Sequence, residues 1–304
     1  MTGRPVESAG TGVTLAAAIG GAVAISFSAI FFALAEVGPA TGAVFRVLYA
    51  LPALTILYLL RRRRDNRSRR ARLIAFGAGV FLGADILVWH SSIGYIGAGL
   101  ATLIANSQVV LVAIAAWLIL GERPGRRVAL AIPVVLVGVA LVSGLGREDS
   151  FGSRPLLGAA LALVAALLYS VFILGIRHSN QAQVPPAGPL LEATAGAAVA
   201  IVVIGPLISD IDFAPSWPSH GWLLALALVA QVGGWLLISY ALPRIPAAET
   251  ATIILLQPVL TMIWGALLFT ERPSRLQLVG AVVVLAGVSM VATRSRKRIP
   301  APLG

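Results

Sequence analysis

The 304-residue sequence has no cysteine, only three histidines and few charged residues, which make up 12% of the chain. The missing cysteines exclude disulfides, thiol catalysis and cysteine-ligated metal sites. The sequence also lacks a phosphate-binding loop, a His-Glu-x-x-His motif and a Gly-x-Ser-x-Gly motif. It therefore predicts no cofactor and argues against several common enzyme classes. A soluble domain carries about 25% charged residues, so the low charge argues against a soluble fold as well.

Apolar residues are abundant instead, at 58% of the sequence, and they are gathered in long runs. A helix needs about 20 such residues to cross the ~30 Å hydrocarbon layer of a membrane. We predict an all-α integral membrane protein with ten transmembrane helices. The predicted ranges are 13–35, 40–60, 73–93, 97–120, 128–145, 156–176, 187–208, 221–242, 247–269 and 277–292.

The net charge of +11 comes from 23 basic and 12 acidic residues. Eight arginines lie in residues 61–72, and four basic residues lie in 294–298. Both clusters adjoin apolar runs, where basic residues mark the cytoplasmic side of a membrane protein. We therefore expect a protein of the cell membrane with both termini in the cytoplasm and no nucleic-acid partner. A role in binding anionic lipid is the alternative interpretation of these clusters.

The two halves of the sequence repeat at an offset of 149 residues, which aligns Gln108 with Gln257 and the Glu-Arg-Pro of 122–124 with that of 271–273. Residues 1–148 and 149–304 are therefore interpreted as two repeats of five helices. An odd number of helices makes the repeats insert in opposite orientations. Of the basic residues, 18 then fall on the cytoplasmic side and four outside. Inverted repeats are common in secondary transporters, whose substrate site lies near the membrane midplane.

A Leu-Gly-Glu-Arg-Pro-like turn precedes the last helix of each repeat, at 120–124 and 269–273, and each of these helices contains a Gly-Val pair. With Gln257-Pro258 in the ninth helix, these motifs resemble the EamA family of the drug/metabolite transporter superfamily over essentially the whole chain. Val109 stands where the family has a proline in the fourth helix. The resemblance implies export or uptake of amino acids, other metabolites or drugs, commonly without ATP.

Asp85 is the first candidate for a transport residue, because an ionisable side chain inside the membrane marks a functional site by default. Trp89 shares its helix face, and Asn106 and Gln108 of the fourth helix reach a similar depth. A carboxylate, an amide and an aromatic ring at one level suit an ammonium or amide group, and Asp85 also suits proton coupling. The Asp85-x-x-x-Trp89-His90 pattern resembles one found in a subset of bacterial family members. The alternative is a structural hydrogen bond that locks two helices.

Further polar residues are candidates for the substrate or ion pathway. His90 suits either proton relay or an interfacial hydrogen bond. Gln231 and Gln257 lie near midplane, where they either face the pathway or join helices by hydrogen bonds. Arg46, near the outer end of the second helix, suits either a carboxylate or an ion pair with Glu36.

Charged residues near helix ends are candidates for a gate, and these are Glu36, Glu192, Arg244 and Glu249. Ordinary interfacial charge is the alternative for them. Glu122 and its repeat counterpart, in the Glu-Arg-Pro turns, are interpreted as parts of a structural hinge.

The leading hypothesis is a transporter, proton-coupled or facilitative, that moves a small molecule by alternating access between the repeats. A membrane-embedded lipid-modifying enzyme using Asp85 and His90 is the second hypothesis, and a lipid flippase or a non-transporting partner protein is the third. A water-filled cavity reaching Asp85 would favour transport, whereas an opening to the lipid would favour a flippase. The sequence makes no prediction of substrate identity or oligomeric state.

Overall fold

The computed structural model describes residues 7–142, 154–180, 184–268 and 274–292, and these residues form helices with no β-strand. The helices are α1 Glu7–Ala35, α2 Pro39–Arg61, α3 Arg69–Ala105, α4 Gln108–Leu120, α5 Arg126–Val142, α6 Pro155–Ser179, α7 Ala187–Ile204, α8 Ser219–Ala225, α9 Trp235–Ala241, α10 Ala247–Ile254, α11 Gln257–Leu268 and α12 Arg275–Ala292. Short 3₁₀ turns, Arg62–Arg64 and Gly205–Leu207, follow α2 and α7, and a π-helix, Leu226–Gly234, joins α8 to α9. The predicted all-α class is confirmed.

Seven helical stretches of the described chain are long and apolar enough to cross a membrane. They are Gly12–Ala35, Pro39–Arg64, Arg69–Ser92, Leu156–Ser179, Ala187–Leu207, Ser219–Ala241 and Ala247–Leu268. Two shorter apolar helices cover Gln108–Ile119 and Arg275–Met290. Exposed apolar side chains such as Leu60, Leu118 and Val203 are suited to contact with lipid. The chain is therefore a multi-pass membrane protein.

The third predicted helix differs from the structure. The sequence predicts a break at 94–96, whereas α3 continues to Ala105 and the chain leaves the helix at Asn106 and Ser107. Residues 92–105 contain no proline, so nothing in them removes a helical hydrogen bond. Trp89 and Ile104 nevertheless pack against the same small cluster, although 15 residues of straight helix span about 22 Å. Ala162 of α6 belongs to that cluster, so contact with α6 joins the two parts of α3.

The predicted ninth helix is divided into α10 and α11 at Leu255 and Leu256. Pro258 explains this division, because proline lacks an N–H and its ring clashes with the carbonyl four residues earlier. The division lies 149 residues after the one at Asn106 and Ser107. At that earlier position Val109 replaces proline, and the short polar side chains of Asn106 and Ser107 favour a turn. The two interruptions, 149 residues apart, thus have different local causes.

Helices α5 and α12 pack through two glycines that lie 149 residues apart in the sequence. A Cβ on Gly138 would lie 2.8 Å from Cγ2 of Val284, and a Cβ on Gly287 would lie 2.4 Å from Cγ2 of Val135. Small residues allow such close approach of helices in lipid. The 149-residue offset converts Gly138 into Gly287 and Val135 into Val284, so equivalent residues make this contact twice.

Hydrogen bonds between loops define two ends of the bundle. At one end, Arg67 before α3 donates to Ser179 at the end of α6, and Arg177 of α6 donates to Glu122 after α4. At the other end, the N–H of Asp212 before α8 donates to the hydroxyl of Thr41 in α2. We call the first the arginine-rich end, because Arg67 belongs to the most basic segment, and the second the opposite end.

Candidate functional site

A cavity of about 590 Å³ lies among α1, α2, α3, α4, α6, α9, α10, α11 and α12. Both halves of the chain contribute to its wall. Cavities of this size hold small molecules, which are usually bound by apolar walls with a few polar groups. Its apolar wall includes Ile25, Leu82, Ile86, Ile254 and Met262.

The cavity lies away from the arginine-rich end. Tyr169 is the lining residue of α6 closest to Ser179 at that end, and about ten residues of helix, or ~15 Å, separate the two. On α1 the lining residues fall within 25–32, close to the end of the helix at Ala35. Among the described residues, none from the loops of the arginine-rich end lines the cavity.

Seven of the eight residues predicted for a substrate or ion pathway line this cavity, namely Arg46, Asp85, Trp89, His90, Asn106, Gln108 and Gln257. The eighth, Gln231, is fully buried and contacts Arg46 from behind. Lipid offers no hydrogen bonds to a polar side chain, so such side chains face the interior of the bundle. For this reason, most of the polar residues within the predicted helices are found in the wall of the cavity.

A chain of hydrogen bonds holds Arg46. Its Nε donates to Oε1 of Gln231 at 2.8 Å, and its Nη1 donates to the hydroxyl of Ser28 at 3.3 Å. Nε2 of Gln231 donates in turn to Oγ1 of Thr194 at 3.3 Å. Gln231 lies in the π-helix between α8 and α9, and such helices often occur at functional sites. The guanidinium therefore has a fixed orientation toward the cavity.

Asp85 and Arg46 place an acidic and a basic side chain on the wall of the same cavity. The two groups interact electrostatically. The ion pairs of the described residues, all with N–O distances of 4.0 Å or less, include none between them. Both side chains therefore line the cavity without a direct ion pair between them.

Several buried polar atoms of the wall have no hydrogen-bond partner in the described protein. They are Nδ1 of His90, Nδ2 of Asn106 and Nε2 of Gln257. A buried polar group without a partner costs about 1–3 kcal/mol, so most such groups in proteins are paired. Three such atoms belong to residues that line one cavity.

Aromatic rings complete the wall. Phe32 stacks on His90 with centroids 5.0 Å apart, and Trp89 lies 5.2 Å from the same imidazole. Tyr169 meets Trp235 edge-on at 6.0 Å. Rings around an interior carboxylate restrict the shape of a guest and present π faces to a cation.

Glu192 lies at the arginine-rich end and outside the cavity. It accepts two hydrogen bonds from the buried Arg67, at 2.8 and 3.1 Å, and Arg67 also donates to Asp65 and Ser179. Three segments of the chain, before α3, at the end of α6 and in α7, are thereby joined. The sequence did not indicate this role for Arg67, because it is one of eight arginines in residues 61–72.

Asp65 completes this cluster and is paired on both carboxylate oxygens. Oδ1 accepts from Nε of Arg67 at 2.9 Å, and Oδ2 accepts from Nη2 at 2.8 Å. Burial alone would raise the pKa of the Asp65 carboxyl, but the hydrogen bonds and charge of Arg67, together with the charge of Arg72, outweigh it. The pKa of Asp65 therefore lies below its ordinary value, and the group is ionised at neutral pH.

Glu122 forms a second cluster at the same end. Its Oε1 accepts from Nη2 of Arg177 at 2.5 Å, and its Oε2 accepts from the N–H of Ala247, the first residue of α10, at 3.2 Å. Arg177 also donates to the carbonyl oxygens of Leu242 and Ile245. These contacts agree with the structural role predicted for Glu122. Its repeat counterpart, residue 271, lies outside the described residues.

The other predicted gate residues also lie outside the cavity wall. Arg244 is stacked on the ring of Tyr240, 3.8 Å from its centroid. Glu249 stands in the first turn of α10, at the arginine-rich end. Glu36 is exposed at the end of α1 with a φ of 51°. Arg46 takes Gln231 and Ser28 as partners, so the alternative pairing of Arg46 with Glu36 is wrong for this conformation.

Two contributors to the site had no signal in the sequence. Ser28 and Thr194 are hydroxyl residues within apolar helices, where such residues often bond to their own backbone. Only the structure brings them to Arg46 and Gln231.

Comparison with known proteins gives the family. The sequence profile of the EamA-like transporter family matches residues 10–144 and 156–293. An uncharacterised transporter of Archaeoglobus fulgidus is 24% identical over 285 residues, covering 90% of this chain and 94% of that protein. The threonine/homoserine exporter RhtA of Escherichia coli K12 is 26% identical over 263 residues, covering 82% of each.

A solved crystal structure of a protein shares the fold, with a TM-score of 0.78 and 16% identity over 93% of this chain and 97% of that one. The profile matches in each half of the sequence, and its two matches together cover most of the chain. The chain belongs to the EamA-like transporter family.

Proposed function

We propose that this protein is a secondary transporter that moves small zwitterionic metabolites, amino acids above all, by alternating access without ATP. The observation that carries this proposal is that Asp85 and Arg46 line one cavity with no direct ion pair between them. The name of the exporter RhtA, for threonine and homoserine, supports the same substrate class.

The two charges divide the work of binding. The guanidinium of Arg46, oriented by Gln231 and Ser28, accepts the substrate carboxylate through its remaining N–H groups. Asp85 binds the ammonium group, and the amides of Asn106 and Gln257 bond to polar atoms of the substrate. The apolar part of the wall leaves room for the substrate side chain.

The described conformation is the outward-facing state of the cycle. Its cavity lies toward the opposite end, while the Arg67 and Arg177 clusters bridge the loops at the arginine-rich end. Transport to the other side requires these clusters to separate. Glu192 is therefore the carboxylate of the inner gate, and Glu122 is the structural hinge beside it.

The gate and the site lie between two inverted five-helix repeats. Several findings support this arrangement: the twice-made contact of α5 with α12, the interruptions 149 residues apart, and the course of the chain. Helix α1 ends at the opposite end, near Thr41, whereas its repeat counterpart α6 ends at the arginine-rich end, near Arg67. The excess of arginine makes that end cytoplasmic in the cell membrane, with both chain termini on the same side.

A flux assay in proteoliposomes tests the proposal. Purified protein is offered labelled threonine and homoserine, a cationic drug and a fluorescent phospholipid, each with and without a pH gradient. We expect saturable flux of amino acids and none of the lipid, and a response to the gradient identifies proton coupling through Asp85. Lipid movement without amino-acid flux would favour the flippase, and no movement of any probe would contradict transport of these classes.

A further inference from the structure

The segment Arg61–Arg72 contains two kinds of arginine. Arg67 is buried, with 5% of its surface exposed, and Arg72 is partly buried. The other six arginines are exposed to solvent, and they are Arg61, Arg62, Arg63, Arg64, Arg69 and Arg70.

The buried Arg67 forms an ion pair with Asp65, which is the acidic residue of the segment. Both oxygens of Asp65 accept hydrogen bonds from Arg67, and Nη2 of Arg72 lies 3.8 Å from Oδ2. Glu192, the next acid at this end, is also bonded to Arg67. Among the described residues, the six exposed arginines therefore make no ion pair. Their mutual repulsion is relieved only by counter-ions from outside the chain.

The exposed arginines lie at the surface of the membrane. One candidate span ends at Arg64 and the next begins at Arg69. The linker between them is held in place by Arg67, which donates to Ser179 and Glu192 in other helices. A rigid linker presents its guanidinium groups at a constant height, beside the headgroups of the lipid.

We propose that these six arginines form a binding surface for the phosphate groups of anionic phospholipids, which we call the headgroup surface. Every basic residue of the segment is arginine, and the chain has a single lysine, at position 297. Arginine predominates throughout the chain, so these six are distinguished by their exposure at the membrane surface and their lack of an ion pair among the described residues. Arginine adds a planar fork of donors that binds phosphate oxygens in pairs.

The experiment uses the full-length protein in detergent micelles that contain equal amounts of phosphatidylglycerol and phosphatidylcholine. Native mass spectrometry counts the lipids that remain bound. The test variant is R62Q/R63Q/R64Q. The matched control is R123Q/R126Q/R127Q, which removes three exposed arginines from the loop before α5 and the first turn of α5, at the same end of the bundle.

We expect the wild type and the control to retain phosphatidylglycerol in preference to phosphatidylcholine. In the test variant, the ratio of bound phosphatidylglycerol to bound phosphatidylcholine should fall by about tenfold. A second test variant, R69Q/R70Q, loses part of it. Added inorganic phosphate leaves the retained lipid in place, because the surface binds a membrane-embedded headgroup rather than a free ion. Equal losses in test and control, no loss in either test variant, or full displacement by inorganic phosphate would overturn the headgroup surface.

Discussion

The arginine-rich end and the cavity treat their polar groups in opposite ways. At the arginine-rich end, Arg67 donates hydrogen bonds to Asp65, Ser179 and Glu192. Both carboxylate oxygens of Glu122 accept hydrogen bonds. In the cavity, polar atoms of His90, Asn106 and Gln257 have no partner within the described protein, and Asp85 makes no ion pair. The polar groups that join the loops at the arginine-rich end are saturated, whereas these polar groups of the cavity wall, where we propose that substrate binds, are not.

The largest effect is expected from Arg67→Met. This change leaves Asp65 and Glu192 as buried carboxylates without their partner, so the free energy of unfolding falls by about 3–5 kcal/mol. Thermal unfolding in detergent measures the loss. The matched control is Arg69→Met in the exposed part of the same segment, which changes stability by about 0.5 kcal/mol or less. Equal melting temperatures for the two variants would contradict a structural role of the Arg67 cluster.

Asp85→Asn and Glu192→Gln separate the two regions with the same type of change. Asp85→Asn lowers amino-acid flux by about 10- to 100-fold, because a hydrogen bond to a charged group contributes about 1.5–3 kcal/mol. Its melting temperature stays close to that of the wild type. Glu192→Gln lowers the melting temperature instead. The comparison fails if Asp85→Asn keeps its flux while losing as much stability as Glu192→Gln.

The sequence predicted the residues of the cavity wall better than the contacts of the arginine-rich end. Long apolar runs set the helices, so most predicted ranges overlap the observed ones. The continuation of α3 through the predicted break at 94–96 was missed because glycines at 94–99 indicate a break, whereas the absence of proline leaves every helical hydrogen bond possible. Lipid-exposed polar groups are costly, which makes interior residues such as Asp85 visible in the sequence. Charges near helix ends pair with close neighbours, and Arg67 could not be told apart from the arginines beside it.

Gln231→Leu tests whether the buried layer behind the cavity orients Arg46. The change removes the acceptor of the Arg46 Nε, so the KM for amino-acid flux rises by about three- to tenfold, consistent with a hydrogen bond of about 1 kcal/mol. Maximal flux changes less. Gln231→Glu keeps an acceptor oxygen and restores the KM, and Thr252→Val, a buried hydroxyl outside the cavity, leaves it unchanged. An unchanged KM in Gln231→Leu would remove Gln231 from the site.

The smallest effect concerns pH at the arginine-rich end. Because the folded-state pKa of Asp65 lies below its ordinary value, the carboxylate stabilises the fold above that ordinary value, near 4. This contribution is lost as the pH falls through the folded-state pKa. The difference in melting temperature between the wild type and Asp65→Asn therefore shrinks from pH 6 to about pH 3. A difference that is constant over this range would contradict the pairing of Asp65 with Arg67.

The most direct test of the central claim is equilibrium binding of threonine, its N-acetyl derivative and its methyl ester to the purified protein. The wild type should bind threonine, and should bind each derivative about tenfold or more weakly, because each has lost one of the two charges. Asp85→Asn should no longer distinguish the N-acetyl derivative, and Arg46→Gln should no longer distinguish the methyl ester. If both folded variants bound all three ligands as the wild type does, the substrate would not lie between Asp85 and Arg46.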